Sequence, residues 1–156
     1  MNDLGTYVRN GDHIDVRFER RYPRPVETVW KALTEPDRLA DWMGRSIVEP
    51  FEGGRYETML DGLKPMHGRI RVWEPPRTLE LHWSNEHAPD ATVRYELTPD
   101  DGGTHLVFTH RHMPHTTCAL MLPGWHVFLV RLGQALDGTR PPDFETPWRQ
   151  MQAVYV

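Results

Sequence analysis

Cysteine is nearly absent from this chain: Cys118 is the only one. A lone thiol excludes an intrachain disulfide and any metal centre built on several cysteines, and it fits a reducing compartment. Long apolar runs are missing too, with no stretch of about 18 consecutive apolar residues. The polar start MNDLGTYVRNGDH lacks the apolar core of a secretion signal, so the expectation is a soluble, cytoplasmic protein without membrane insertion. Nor is there an excess of basic charge. The 22 acidic against 18 basic side chains give a formal charge of -4, which argues against nucleic acid as a partner. No Ser, His and Asp set stands in an elbow context, and Gly53-Gly54 and Gly102-Gly103 read as hairpin turns rather than phosphate cradles. No cofactor is expected.

What the chain does have is rings. Six Trp, five Tyr and five Phe sit among only 38% apolar residues. Large rings bury much area each and leave irregular space between them, which suits an aromatic-rich core or a ligand site. At 156 residues, one domain accounts for the whole length.

Patterning orders the elements. His13 to Tyr22 alternates, with Ile14, Val16 and Phe18 on one face, and this predicts a half-buried strand. Pro23 and Pro25 end it, and Pro25 suits a first helical turn. Val26, Val29, Trp30 and Leu33 recur at helical spacing. Pro36 restarts the backbone as a second short helix with Leu39, Trp42 and Met43 on its apolar side, closed by Gly44. From Arg45 to Arg111 the pattern is an antiparallel meander. Its strands cover Ser46 to Phe51 and Arg55 to Leu60, with a turn at Asp61-Gly62, and then a strand with Met66, Gly68, Ile70 and Val72 inward and Trp73 outward. Leu79, Leu81 and Trp83 form the next inward set, followed by Val93, Tyr95 and Leu97, then Leu106, Phe108 and His110. The opposite faces carry Glu19, Glu57, Glu80 and Glu96 with Arg17, Arg55, Arg69, Arg71 and Arg94, a pattern of cross-strand ion pairing on a wet outer face. Trp125, Leu129, Leu132 and Leu136 form the stripe of a final helix capped by Gly138; Pro123 marks either its start or a kink. In the tail beyond Thr139, Trp148 and Tyr155 are expected to dock back on the body.

This order of parts, with VWKALTEPDRLADWMG, Gly53-Gly54-Arg55-Tyr56, Gly68 and Val72 before Pro75-Pro76, Leu106 through His110 and Gly124-Trp125-His126, resembles the AHSA-like branch of the START-type (SRPBCC) superfamily. The branch takes its name from an activator of a heat-shock-protein ATPase, and the superfamily includes a pollen allergen, lipid-transfer domains and polyketide cyclases. The resemblance spans about residues 12–138. It implies an α+β helix-grip fold: a curved antiparallel sheet around a long C-terminal helix, two short helices between the first two strands, an internal apolar cavity, and a single domain over 1–156 with a tail from 139. It implies no fixed chemistry.

The leading expectation is a carrier, sensor or sequestering protein, stress-related sequestration included, for a small hydrophobic or aromatic molecule. Tyr56, Trp83, Tyr95, Phe108, Trp125 and Leu129 would line the cavity, Trp42 would stand at its mouth, His110 would be the polar anchor and His126 would sit at its edge. For His110 the competing account is a core histidine satisfied by a backbone carbonyl. A cyclase- or hydratase-type enzyme using His110 as acid or base is the alternative. A chaperone cofactor comes third, because the chain lacks the additional domain by which the name-giving proteins grip their partner. The run HRHMPHTTC places His110 and His112 on one strand face, yet Pro114 breaks the element and no carboxylate lies within the run, so no metal site is expected. Oligomeric state stays open, with Trp73 as an outward ring that could mark an interface.

Overall fold

The computed structural model describes residues 4–60, 65–139 and 144–155. A hairpin of β1 (Thr6–Asn10) and β2 (His13–Tyr22) leads into α1 (Val26–Thr34) and α2 (Pro36–Leu39). Then follow β3 (Gly44–Val48), β4 (Tyr56–Leu60), β5 (His67–Glu74), β6 (Thr78–Ser84), β7 (Ala91–Asp100) and β8 (Gly103–Pro114). A short 3-10 turn leads into α3 (Cys118–Leu136), and α4 (Glu145–Val154) ends the chain. Six strands form one antiparallel sheet in the order β1-β2-β8-β7-β6-β5, while β3 and β4 pair separately and reach the main sheet through bridges from Arg55 to Arg69 and from Thr58 to Met66. The sheet holds α3 against its dry face, and this is the α+β helix-grip fold.

Alternation explains most of the sheet. Ile14, Val16 and Phe18 of β2, Leu79, Leu81 and Trp83 of β6, Val93, Tyr95 and Leu97 of β7, and Leu106, Phe108 and His110 of β8 are all almost fully buried. The opposite face carries ion pairs, among them Arg17–Glu19, Arg55–Glu57 and Arg94–Glu80. Pairs this exposed contribute little stability each.

Two bulges break the parity. One extra residue on β5 between Ile70 and Val72 sets Val72 opposite Glu80 and Trp73 opposite Leu79. Val72 therefore turns toward the outer face, and Trp73, expected outside, turns inward and meets Trp30 of α1 edge-on at 5.1 Å. The second bulge lies on β8 opposite Asp15, where His112 takes φ 64° and Asp15 Oδ1 accepts its N–H at 3.0 Å. This bulge separates two histidines expected on one face: His110 is buried, whereas His112 is exposed and stacks on His13 at 3.9 Å. Bulges of this kind shift one residue and re-aim all that follow. Among the described residues no group of His, Cys, Asp and Glu is placed to hold a metal.

The helical parts also depart from the pattern. Strand β1 precedes the expected first strand and is exposed along its whole length, so α1 and α2 follow the second strand. Helix α2 is a single turn. Trp42 and Met43 lie in the turn after it, fully buried. Helix α3 begins at Cys118 and contains Pro123 rather than starting there; Gly138 follows its end with φ 79°, as a helix-terminating glycine does. Phe144 packs on Phe128 at 4.8 Å, and Tyr155 reaches Gly5 and His126, so the tail docks on the body. The expected turn at Asp61-Gly62 lies outside the described residues. Among the described residues no helix is long and apolar enough to cross a membrane.

Aromatic side chains also cap a helix end. The carbonyls of the last turn of an α-helix have no intrahelical partner. In α1 the Ala32 carbonyl accepts from Trp42 Nε1 at 2.8 Å and the Leu33 carbonyl from the Tyr56 hydroxyl at 2.6 Å. Two rings from later elements thus tie α1 to the α2–β3 turn and to β4.

Gly44, between Met43 and β3, has φ 149°, and a Cβ there would lie 2.0 Å from the Met59 carbonyl oxygen. Gly53 has φ 89° but open space around it. Gly44→Ala is expected to cost about 2–4 kcal/mol and lower Tm by on the order of 10 °C, whereas Gly53→Ala should cost about 1 kcal/mol. Thermal unfolding of both variants checks this, and equal losses would show that the close approach at Gly44 is unimportant.

Candidate functional site

The interior of the grip is built in rows across the sheet. Strand register sets Gly68 and Ala91 on either side of Trp83. Two small neighbours leave the indole room over the sheet. The next row holds Ile70, Leu81, Val93, His110 and Val16, and the one after it Trp73, Leu79, Tyr95, Phe108 and Phe18. Helix α3 lays Trp125 over these rows.

Five of the nine candidate residues meet in one cluster. Trp125 stands 4.3 Å from Phe108 and 5.2 Å from Trp83 between ring centroids, Trp83 is edge-on to His110 at 5.3 Å, and Tyr95 is tilted against Phe108 at 5.3 Å. Tilted and edge contacts are the arrangements that ring quadrupoles favour. Phe128, outside the expected stripe, extends the cluster: it contacts Trp125 at 5.8 Å and Trp42 at 6.4 Å. Its signal was the nearly unbroken apolar run of α3, which shows that more than one side of the helix is covered.

The other four candidates sit at the margins. Trp42 and Tyr56 are fully buried, but both polar atoms are committed to α1 carbonyls, and burial raises the Tyr56 phenol far above its ordinary pKa. Leu129 is buried, and its carbonyl accepts from the Tyr22 hydroxyl at 2.8 Å. His126 faces the other way. Its Nδ1 lies 2.8 Å from the Tyr155 hydroxyl, and its ring meets the edge of Phe18.

Within the cluster the polar groups are unevenly satisfied. Trp125 Nε1 donates to His110 Nδ1 at 2.8 Å. Yet His110 Nε2, Trp83 Nε1 and the Tyr95 hydroxyl, all fully buried, have no hydrogen-bond partner among the described residues. A buried polar group left unpaired costs about 1–3 kcal/mol, and native interiors hold few of them. Burial pulls the His110 pKa down to about 3, so the imidazole is neutral near pH 7. Burial also pushes the Tyr95 phenol well above its ordinary value. The interior is therefore an uncharged, closely packed aromatic cluster that holds unpaired polar atoms.

A concavity of about 400 Å³ lies on the outside, between the β3–β4 hairpin and residues 65–67. Ile47 and Met59 are exposed along it. The side chains beside them, His67 and Glu57, pair with one another at 3.7 Å.

Comparison with known proteins agrees with this architecture. The crystal structure of CalU16 from Micromonospora echinospora is similar, with 26% sequence identity and a TM-score of 0.74 over 97% of this chain and 92% of CalU16. The solution structure of BPP1335 from Bordetella parapertussis shares 28% identity and superposes with a TM-score of 0.74 over 94% of this chain and 86% of its own. DynU16, described as a protein in the dynemicin biosynthetic locus, is 26% identical with a TM-score of 0.74, covering 84% of this chain and 49% of DynU16. No curated protein matches at a significant level. A family model matches residues 23–137, from the end of β2 through α3 and thus every element that builds the ring cluster, and this chain belongs to that family, described as activator of Hsp90 ATPase homolog 1-like protein.

Proposed function

We propose that this chain binds a small, largely apolar or aromatic molecule between the sheet and α3, with His110 as the polar anchor. The observation that carries this reading is the set of unpaired polar atoms on His110, Trp83 and Tyr95 inside an otherwise apolar ring cluster. Packing alone gains nothing from such atoms, because apolar rings of similar shape would fill the same space without the desolvation cost. A ligand that supplied their partners would recover that cost on binding. The placement of DynU16 in a biosynthetic locus adds weight to a small organic molecule as the occupant. On this reading the protein carries or sequesters its ligand, since binding sites of this kind combine apolar walls with a few placed polar groups.

The reading is tested by an amide-resolved NMR titration against fatty acids, flavonoids, sterols and small polyketides. Shifts concentrated on Trp83, Tyr95, Phe108, His110 and Trp125 are the expected result. A well-dispersed spectrum that no compound perturbs would remove the proposal.

The neutrality of His110, on which its role as an uncharged anchor depends, is tested separately. Its folded pKa of about 3 lies below the ordinary 6.5, so between those values the unfolded chain binds the extra proton. Stability is then fully present above pH 6.5 and is lost as pH falls toward 3, at about 1.4 kcal/mol per pH unit for one proton. His110→Asn keeps an acceptor for Trp125 and removes the titration. From pH 7 to pH 5 the wild type should lose about 2 kcal/mol relative to this variant in denaturant unfolding, because the other eight of the nine histidines are common to both proteins. Parallel stability curves would show that His110 is not held neutral by burial.

A further inference from the structure

Trp125 decides which nitrogen of His110 carries the proton. An indole N–H has no lone pair to offer and can only donate. The 2.8 Å contact between Trp125 Nε1 and His110 Nδ1 therefore has one polarity, with Nδ1 accepting. A neutral imidazole whose Nδ1 is bare bears its hydrogen on Nε2. That Nε2 is one of the unpaired atoms, and Trp83 Nε1, on the ring edge-on to it, is another. Trp83 likewise can only donate. The two neighbouring unpaired atoms are thus both N–H donors, and Tyr95, which can donate or accept, does not change that polarity. What they lack is an acceptor.

We infer that the sheet-helix interior recognises a neutral carbonyl oxygen on an aromatic molecule, a ketone or quinone, through the Nε2–H of His110 and the Nε1–H of Trp83. The inference rests on the ligand-binding reading above and narrows it to a chemical class. A neutral carbonyl is favoured over a carboxylate because Trp83, Phe108 and Trp125, the rings around His110, offer no charge to balance an anion, and an unbalanced buried charge is far costlier than a buried dipole. The same polarity bears on catalysis. The single lone pair of His110 already accepts from Trp125, so the ring has no site at which to take a proton from a ligand. His110 is a hydrogen-bond donor to the ligand and not its general base.

The test uses the 15N-labelled full chain and two matched pairs of probes, benzophenone with diphenylmethane and fluorenone with fluorene, each pair differing chiefly in one carbonyl oxygen. Long-range proton–nitrogen spectra of the free protein should show His110 protonated at Nε2 and bare at Nδ1. On titration the ketones should bind at least tenfold more tightly than the hydrocarbons. They should also move the Nε2–H of His110 and the Nε1–H of Trp83 downfield, while the hydrocarbons perturb the rings without those shifts. In His110→Asn, which preserves an acceptor for Trp125, the preference should fall below threefold with the Trp125 indole signal unchanged. Equal affinity within both pairs, or a proton found on Nδ1, would overturn the carbonyl reading and leave ligand binding standing. Silence from all four probes would overturn the carbonyl reading, and silence across the wider panel above would overturn ligand binding with it.

Discussion

The hydrogen bond from Trp125 to His110 joins the two halves of this fold at its driest point. An indole brings the largest apolar area of any side chain but also one N–H that must be satisfied when buried. Trp125 comes from α3 and His110 from β8, so the bond fixes both the height and the rotation of the helix over the sheet. Once the indole is pinned, Phe108 and Trp83 can pack against its faces only in the tilted arrangement seen. Gly68 and Ala91 beside Trp83 then become the complementary small residues that keep the sheet from being pushed away.

A second set of bonds follows the same logic at the other end of the core. Trp42 and Tyr56 give their polar hydrogens to the open carbonyls of α1, and Tyr22 gives its own to Leu129 of α3. In each case a ring that is mostly hydrocarbon spends its one polar atom on a backbone group of a helix. The interior is thus organised by donors on rings meeting acceptors on helices or, for His110, on another ring. Against that regularity, the unpaired atoms of Trp83, His110 and Tyr95 stand out: they belong to neighbouring strands of the sheet, where the ladder already uses the backbone acceptors.

Much of the fold was legible because alternation and helical spacing report burial directly. The inward sets of β6, β7 and β8 follow from parity alone, and His110 was placed correctly on β8 by the same rule. Parity failed where the backbone gained a residue. Neither the bulge that turns Trp73 inward nor the one that turns His112 outward has a glycine or proline to announce it; the second is held by Asp15, a residue remote in sequence. Strand β1 escaped notice because a strand exposed along its whole length has no period to show. At the site, parity brought five of the nine candidates into one cluster but missed Phe128, and the hydrogen-bond state of each ring could not be anticipated. Trp42 and Tyr56 look the same in sequence as Trp83 and Tyr95. Only the distance to a helix carbonyl separates the rings whose polar atom is paired from those whose polar atom is not.

This difference also bears on how one fold can serve unlike tasks. The features that hold the grip closed, bulges, a glycine at a tight approach and rings capping α1, lie at its edges. The unpaired polar atoms lie on β6, β7 and β8 in the middle of the sheet, where a change of side chain leaves those supports untouched. A sequence could exchange Trp83 or Tyr95 for another ring of similar size and keep the architecture while changing the chemistry it offers. The 26% identity with CalU16 at a TM-score of 0.74 is what such a separation permits. Fold likeness across the family therefore carries over the container, and on the proposed reading the polarity of the unpaired atoms sets what this particular chain holds.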